Sequence, residues 1–168
     1  MRIANINYYD TVNTVGGAVI SVWTQGCPHH CEGCFNPETW DFSGGRIFTE
    51  EDMVRIIYEI NENRDVIHGV SFLGGEPLCN ENIKGVADFI NRINTFFPEK
   101  TIMIWSGYTF KDILPKLVDN RIENMVDYVV DGRFVMSKKD KKLKLRGSSN
   151  QNVNHNVNRS GEWVEEFK

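Results

Sequence analysis

Apolar residues along this chain alternate between two periods, and the alternation predicts strands separated by helices. Residues 18–24 (AVISVWT) form a β-branched run that predicts a buried strand. From Glu50, with Thr49 as N-cap, Met53, Ile56, Ile57 and Ile60 keep the i, i+3, i+4, i+7 spacing of a helix. Residues 70–73 read as a short buried strand ended by Gly74-Gly75. A second helix carries Ile83, Val86, Ala87, Ile90, Ile93 and Phe97 on one face, and Pro98 marks its end. Residues 101–105 (TIMIW) predict a strand broken by Ser106-Gly107. Thr109 is placed to cap a third helix carrying Phe110, Ile113, Leu114, Leu117 and Val118, in which Pro115 predicts a kink or an early end. Residues 126–130 predict a further strand, stopped by Asp131-Gly132.

Strands and helices in this order imply right-handed βαβ crossovers and a parallel sheet, an α/β fold. Ligands of such sheets gather where the C-terminal ends of the strands open into loops. The loops at 25–36, 74–79, 106–108 and 131–133 all follow predicted strands, so they are expected at one edge. Residues 1–146 read as one domain. After Phe134 the character changes: residues 137–146 (SKKDKKLKLR) are strongly basic, and asparagine occupies every second position from Asn150 to Asn158. Composition alone makes the polar segment 147–168 a mobile tail or an appendage of the same domain.

Charge and composition narrow the class. Of 168 residues, 40% are hydrophobic and 25% charged, and the net charge of −4 gives no reason to expect nucleic acid or an anionic membrane as partner. No apolar run approaches the roughly 20 residues of a membrane span. The start, MRIANINYYD, lacks the features of a signal peptide, so a cytoplasmic location is expected.

Cysteines are rarely paired as disulfides in a reducing compartment. Three of the four, Cys27, Cys31 and Cys34, fall within eight residues, which points to metal or cluster ligation. Their spacing, C-x3-C-x2-C, lets three thiolates hold three irons of a four-iron cluster and leaves one iron open. Structural zinc takes four protein ligands, so a zinc reading needs His29, His30 or Cys79 as the fourth. His29 and His30 read as polar surface residues of the loop, and Cys79 as a small, partly buried thiol.

A cysteine triplet after a first strand, followed some forty residues later by Gly74-Gly75-Glu76-Pro77, resembles the radical S-adenosylmethionine superfamily. The resemblance implies that the amino and carboxylate groups of S-adenosylmethionine chelate the open iron, with its ammonium against the glycine-rich turn. Gly74-Gly75 would allow close backbone approach, and Glu76 would add a carboxylate acceptor.

More local features resemble one family, the anaerobic ribonucleoside-triphosphate reductase activating proteins. They are Gly26-Cys27 to Asn36 with Thr39-Trp40, Trp105-Ser106-Gly107-Tyr108, Asp131-Gly132-Arg133-Phe134 and Arg146-Gly147-Ser148-Ser149-Asn150-Gln151. Gly33 stands before the third cysteine, where the superfamily commonly has an aromatic, and Phe35 follows it, as in this family.

The resemblance implies an incomplete, splayed parallel (β/α) barrel of about four to six strands. It implies a [4Fe-4S] cluster and reductive cleavage of S-adenosylmethionine to methionine and a 5′-deoxyadenosyl radical. That radical would take a hydrogen atom from a glycine of the reductase large subunit, with a flavodoxin or ferredoxin-type protein as electron donor. Ser106 is a candidate for the nucleoside or methionine carboxylate, Asp131 for a ribose hydroxyl and Tyr108 for the adenine. Arg146 to Gln151 would form the partner contact or close the site. The basic stretch reads as a solvated loop or a dock for an acidic partner surface, and His68 and His155 as structural or exposed. The competing readings are a pyruvate formate-lyase-type activase, a deazaguanine carboxylate synthase and a non-catalytic zinc or iron–sulfur adaptor.

Overall fold

Alternation of period two with period 3.6 yields strands and helices close to where the sequence places them. The computed structural model describes residues 1–167. In chain order the strands are β1 (Arg2–Asp10), β2 (Ala18–Thr24), β3 (Arg46–Ile47), β4 (Ile67–Gly74), β5 (Thr101–Trp105), β6 (Tyr128–Asp131), β7 (Asn152–Asn156) and β8 (Trp163–Glu166). The helices are α1 (Glu50–Glu62), α2 (Ile83–Phe96) and α3 (Phe110–Asp119).

All eight strands join one sheet in the order β3-β1-β2-β4-β5-β6-β7-β8. β2, β4, β5 and β6 run parallel, in register Val22↔Phe72↔Ile104↔Val129. On one side β1 pairs antiparallel with β2 and β3 antiparallel with β1; on the other β7 pairs antiparallel with β6 and β8 antiparallel with β7. The expectation of about four to six parallel strands therefore holds for the centre and is corrected for the flanks: the sheet is mixed and open, with β3 and β8 as its edges. Apolar burial explains the difference. In β1 only Ile3 is a fully buried hydrophobic residue, and β7 is built on asparagine, so neither carries the apolar run that marks a central strand.

Helix starts follow their caps. Thr49 and Asp52 form a reciprocal capping box, in which the Thr49 amide donates to Asp52 Oδ2 at 2.8 Å and the Asp52 amide donates to Thr49 Oγ1 at 3.3 Å. Pro115 does not end α3; the helix continues to Asp119. Pro115 and Lys111 are both exposed, so the carbonyl that loses its helical donor faces water.

One main core forms where Ile20, Val22, Val70, Phe72, Ile102, Ile104 and Val129 of the sheet meet the inward faces of the helices. Each fully buried side chain of this size contributes roughly 1.5–3 kcal/mol. The alternate positions of the same strands point to the opposite face, where Met103, Val130 and Val153 make a smaller cluster with Trp105, Tyr128, Leu145 and Phe167. Loops cover this second face. Trp105 Nε1 donates to the Leu145 carbonyl at 2.9 Å, and Ser71 Oγ to the Asn13 carbonyl at 2.7 Å. No described helix is long and apolar enough to cross a membrane.

Candidate functional site

β2 delivers the chain into the cysteine loop, and the loop's base is strapped to residues 36–42. The Gly26 amide donates to the Thr39 carbonyl at 2.8 Å and the Cys27 amide to the Trp40 carbonyl at 3.1 Å. Gln25 Nε2 adds bonds to the carbonyls of Glu38 and Asp41. The Thr39-Trp40 pair seen in sequence is thus the loop's anchor. Further on, the Cys34 amide donates to the Cys31 carbonyl at 3.1 Å, closing a turn between the last two cysteines.

Parallel register brings the ends of β2, β4 and β5 together. Cys27, Cys31 and Cys34 line one cavity of about 570 Å³ with Gly74, Gly75 and Ser106. That volume is within the range of small-molecule and cofactor sites. The cavity also reaches the helix-free face of the sheet, through Trp23, Leu73 and Trp105.

The two glycines are required by the protein itself. Gly74 has φ +95°, and a Cβ on Gly75 would stand 2.5 Å from the Gly26 carbonyl oxygen. The Gly75 amide donates to the Thr24 carbonyl and the Glu76 amide to the Gly26 carbonyl, both at 2.8 Å. Backbone meets backbone at this point, and the glycine turn is welded to the first residues of the cysteine loop.

Glu76 lies 1% exposed. Its Oε1 accepts from the Leu78 amide and from Ser106 Oγ, each at 2.9 Å. Its Oε2 accepts from the Gly107 amide at 2.7 Å and from His29 Nε2 at 2.8 Å. His29 is therefore a correction: its side chain is 4% exposed, not a surface group of the loop. A Cβ on Gly107 would stand 2.3 Å from the His29 ring, and that ring meets Tyr108 edge-on at 4.6 Å. His30 is exposed, stacked on Trp40 at 4.8 Å.

Other expected residues divide. Ser106 lines the cavity, donating to Glu76 and accepting from the Tyr108 amide at 3.2 Å. Asp131 does not line it: one carboxylate oxygen accepts from the Phe110 amide at the start of α3, and the other from the Asn152 amide and Asn154 Nδ2. Tyr108 is turned toward His29 and Lys116, whose Nζ lies 4.6 Å from the ring centre. His68 is exposed, and His155 stacks on Tyr128 at 4.4 Å.

The Arg146 to Gln151 element shapes the far wall. Gln151 Oε1 accepts from the Gly147 and Ser148 amides, and its Nε2 donates to the Gly132 carbonyl at 2.8 Å. These bonds fold residues 133–149 back over the cysteine loop. Gly33 has φ +70°, a backbone conformation that favours glycine, and the end of the Met136 side chain packs over it, where a Cβ would stand 2.2 Å from Cε.

The donor set fits an iron–sulfur cluster. Three soft thiol ligands face one cavity, and among the described residues no three His, Cys, Asp or Glu side chains gather on a point that would hold a single ion. Of the candidates for a fourth zinc ligand, His30 is exposed and stacked on Trp40 and Cys79 lies outside the cavity walls, while His29 is bonded through Nε2 to Glu76. Burial pushes the Cys27 thiol up to about 11 and the Cys79 thiol up to about 12. Iron ligation at Cys27 would displace that proton, whereas Cys79, 1% exposed, stays an inert thiol.

Comparison with known proteins gives the same direction. A family model described as a 4Fe-4S single cluster domain matches residues 14–154. The chain is 37% identical over 150 residues to the anaerobic ribonucleoside-triphosphate reductase-activating protein of Salmonella typhi, covering 88% of this chain and 96% of that protein. The protein of the same name from Escherichia coli K12 is 34% identical over 153 residues, 90% of this chain and 98% of the relative. Its counterpart from Enterobacteria phage T4 is 33% identical over 156 residues, 92% of each chain.

Proposed function

The chain belongs to the family of anaerobic ribonucleoside-triphosphate reductase-activating proteins, and from that premise we propose that it is the activase of such a reductase. The observation that carries the reading is the meeting of Cys27, Cys31 and Cys34 with Gly74 and Gly75 around one cavity. In this reading the three cysteines hold a [4Fe-4S] cluster. The Gly74-Gly75 turn and Ser106 receive S-adenosylmethionine beside it.

When bound, the cluster supplies the electron that cleaves S-adenosylmethionine to methionine and a 5′-deoxyadenosyl radical, which takes a hydrogen atom from a backbone glycine of the reductase large subunit and leaves 5′-deoxyadenosine. The protein's part is to orient and to shield. Trp23, Leu73, Trp105 and Phe134 give the cavity apolar walls, which keep water from a reactive radical. No general acid or base is needed. The electron comes from a flavodoxin or ferredoxin-type donor in the reducing cytoplasm, where four free cysteines persist.

A protein substrate suits the mouth. Phe35 and Met136 are exposed beside it, and seven of the chain's 19 basic residues but only one of its 23 acidic ones lie between Arg133 and Arg146. An open sheet with a helix-free inner face supports an incomplete, splayed barrel that leaves access for a large partner. The test is an anaerobic mixture with the reductase, followed by electron paramagnetic resonance. A glycyl radical doublet that appears only with S-adenosylmethionine and reductant is expected; its absence with a cluster-loaded protein would sink the assignment.

A further inference from the structure

We propose that Glu76 is a positioning residue, acting through His29, the Ser106 hydroxyl and the Gly107 amide to hold the cysteine loop against the two strand-end loops rather than taking the ammonium of S-adenosylmethionine itself. The inference rests on the activase reading above. A carboxylate offers about four lone-pair sites on two oxygens, and all four are used: Leu78 N and Ser106 Oγ on Oε1, His29 Nε2 and Gly107 N on Oε2. An ammonium donor would have to displace one of them. Three of the four come from parts of the chain other than the turn that carries Glu76.

The rest of the residue is equally committed. Its amide donates to the Gly26 carbonyl, and its carbonyl accepts from Asn82 Nδ2 at 3.0 Å. Asn82 Nδ2 also donates to the Gln25 carbonyl, two residues before Cys27. The cysteine loop is therefore gripped by Glu76 at both Gly26 and His29, on either side of Cys27. A buried charge is tolerated only when its hydrogen bonds are made, so the carboxylate and its donors stand or fall together.

The place of one His29 proton follows from geometry. An ionised carboxylate only accepts, so His29 carries a proton on Nε2. Nδ1 is buried and has no partner in the protein. His29 thus serves as a strut whose side-chain hydrogen bond goes to Glu76.

The test compares wild type with Glu76→Gln, His29→Ala and His29→Gln after anaerobic reconstitution. Two quantities are read: the electron paramagnetic resonance signal of the reduced cluster before any S-adenosylmethionine is added, and the dissociation constant for that ligand. In either orientation, the Glu76→Gln amide turns its NH2 on a backbone N–H, of Leu78 or of Gly107. A positioning role therefore expects an altered cluster signal without ligand in both Glu76→Gln and His29→Ala. It also expects affinity to fall on the order of tenfold in both. His29→Gln keeps a donor near the place of Nε2 and should restore both quantities toward wild type.

The opposite outcome is as sharp. If Glu76→Gln keeps the wild-type cluster signal and weakens only ligand binding, while His29→Ala binds normally, Glu76 is a direct ligand contact and the proposal is wrong. Should Glu76→Gln fail to fold, the two His29 variants decide alone: identical behaviour of Ala and Gln overturns the strut. A wild-type cluster that ignores S-adenosylmethionine would refute the activase reading instead, and it would leave the ligand-free comparison intact.

Discussion

The parallel centre of the sheet and its C-terminal flank both bury polar side chains, and they do so for different reasons. In the centre, Glu76, Ser106 and Asn82 are saturated at strand ends, where they hold loops around a cavity. In the flank, asparagines replace apolar packing. Asn156 Nδ2 donates to the carbonyls of Glu123 and Val126, and Asn154 Nδ2 to Val129 and Asp131. The first arrangement builds a site on a frame already stable from its core; the second is the frame. Substitutions in the centre should therefore change chemistry more than stability, and those in the flank the reverse.

The largest expected effect tests the first half. Cys31→Ala should abolish the iron–sulfur chromophore and all formation of 5′-deoxyadenosine, as judged by iron content and product analysis. Cys79→Ala, equally central but outside the cavity walls, should keep cluster and turnover. Loss of turnover in Cys79→Ala would show that proximity to the glycine turn, and not facing the cavity, decides which cysteine matters.

The same contrast explains what was legible in the sequence. Helix and strand periods place β2, α1, β4, α2, β5 and α3 because those elements bury continuous apolar faces, and the motifs place the cavity because loops that follow parallel strands share an edge. β1, β7 and β8 escaped: their pairing rests on backbone ladders and asparagine bonds, and a polar stretch without apolar period reads as a tail. Within the site, the cysteine triplet and Gly74-Gly75 are local signals. His29 is not: its burial depends on Glu76 and Gly107, 47 and 78 positions away in the numbering, and nothing beside it in sequence announces them.

A smaller effect is expected at the boundary between the regions, on the basic loop. Lys138 and Lys142 are exposed and do not line the cavity. Reversing both, Lys138→Glu with Lys142→Glu, should slow activation of the reductase by roughly tenfold at low salt, with the gap to wild type narrowing as salt screens the charges. Cleavage of S-adenosylmethionine without the partner should be unchanged. An activation rate that ignores both the substitutions and salt would show the loop to be merely solvated, and would move it from the functional region to the structural one.

The smallest effect reaches the flank itself. Asn156 is 1% exposed, and besides its two donated bonds its Oδ1 accepts from the Gly161 amide at 2.9 Å. Asn156→Ala removes these bonds and strands the buried Val126 carbonyl and the half-buried Glu123 carbonyl, at a cost of about 1–3 kcal/mol. Asn156→Asp should cost more, because a carboxylate would face two carbonyl oxygens with no proton to offer. Urea denaturation of the apoprotein measures both: the midpoint should fall in the order wild type, Ala, Asp with the slope unchanged. Ligand affinity of the surviving folded protein should not move, since Asn156 sits on the far strand β7 and touches no wall of the cavity. An unchanged midpoint would return the asparagine stretch to the status of a tail, because only a segment outside the cooperative fold can lose three hydrogen bonds without cost.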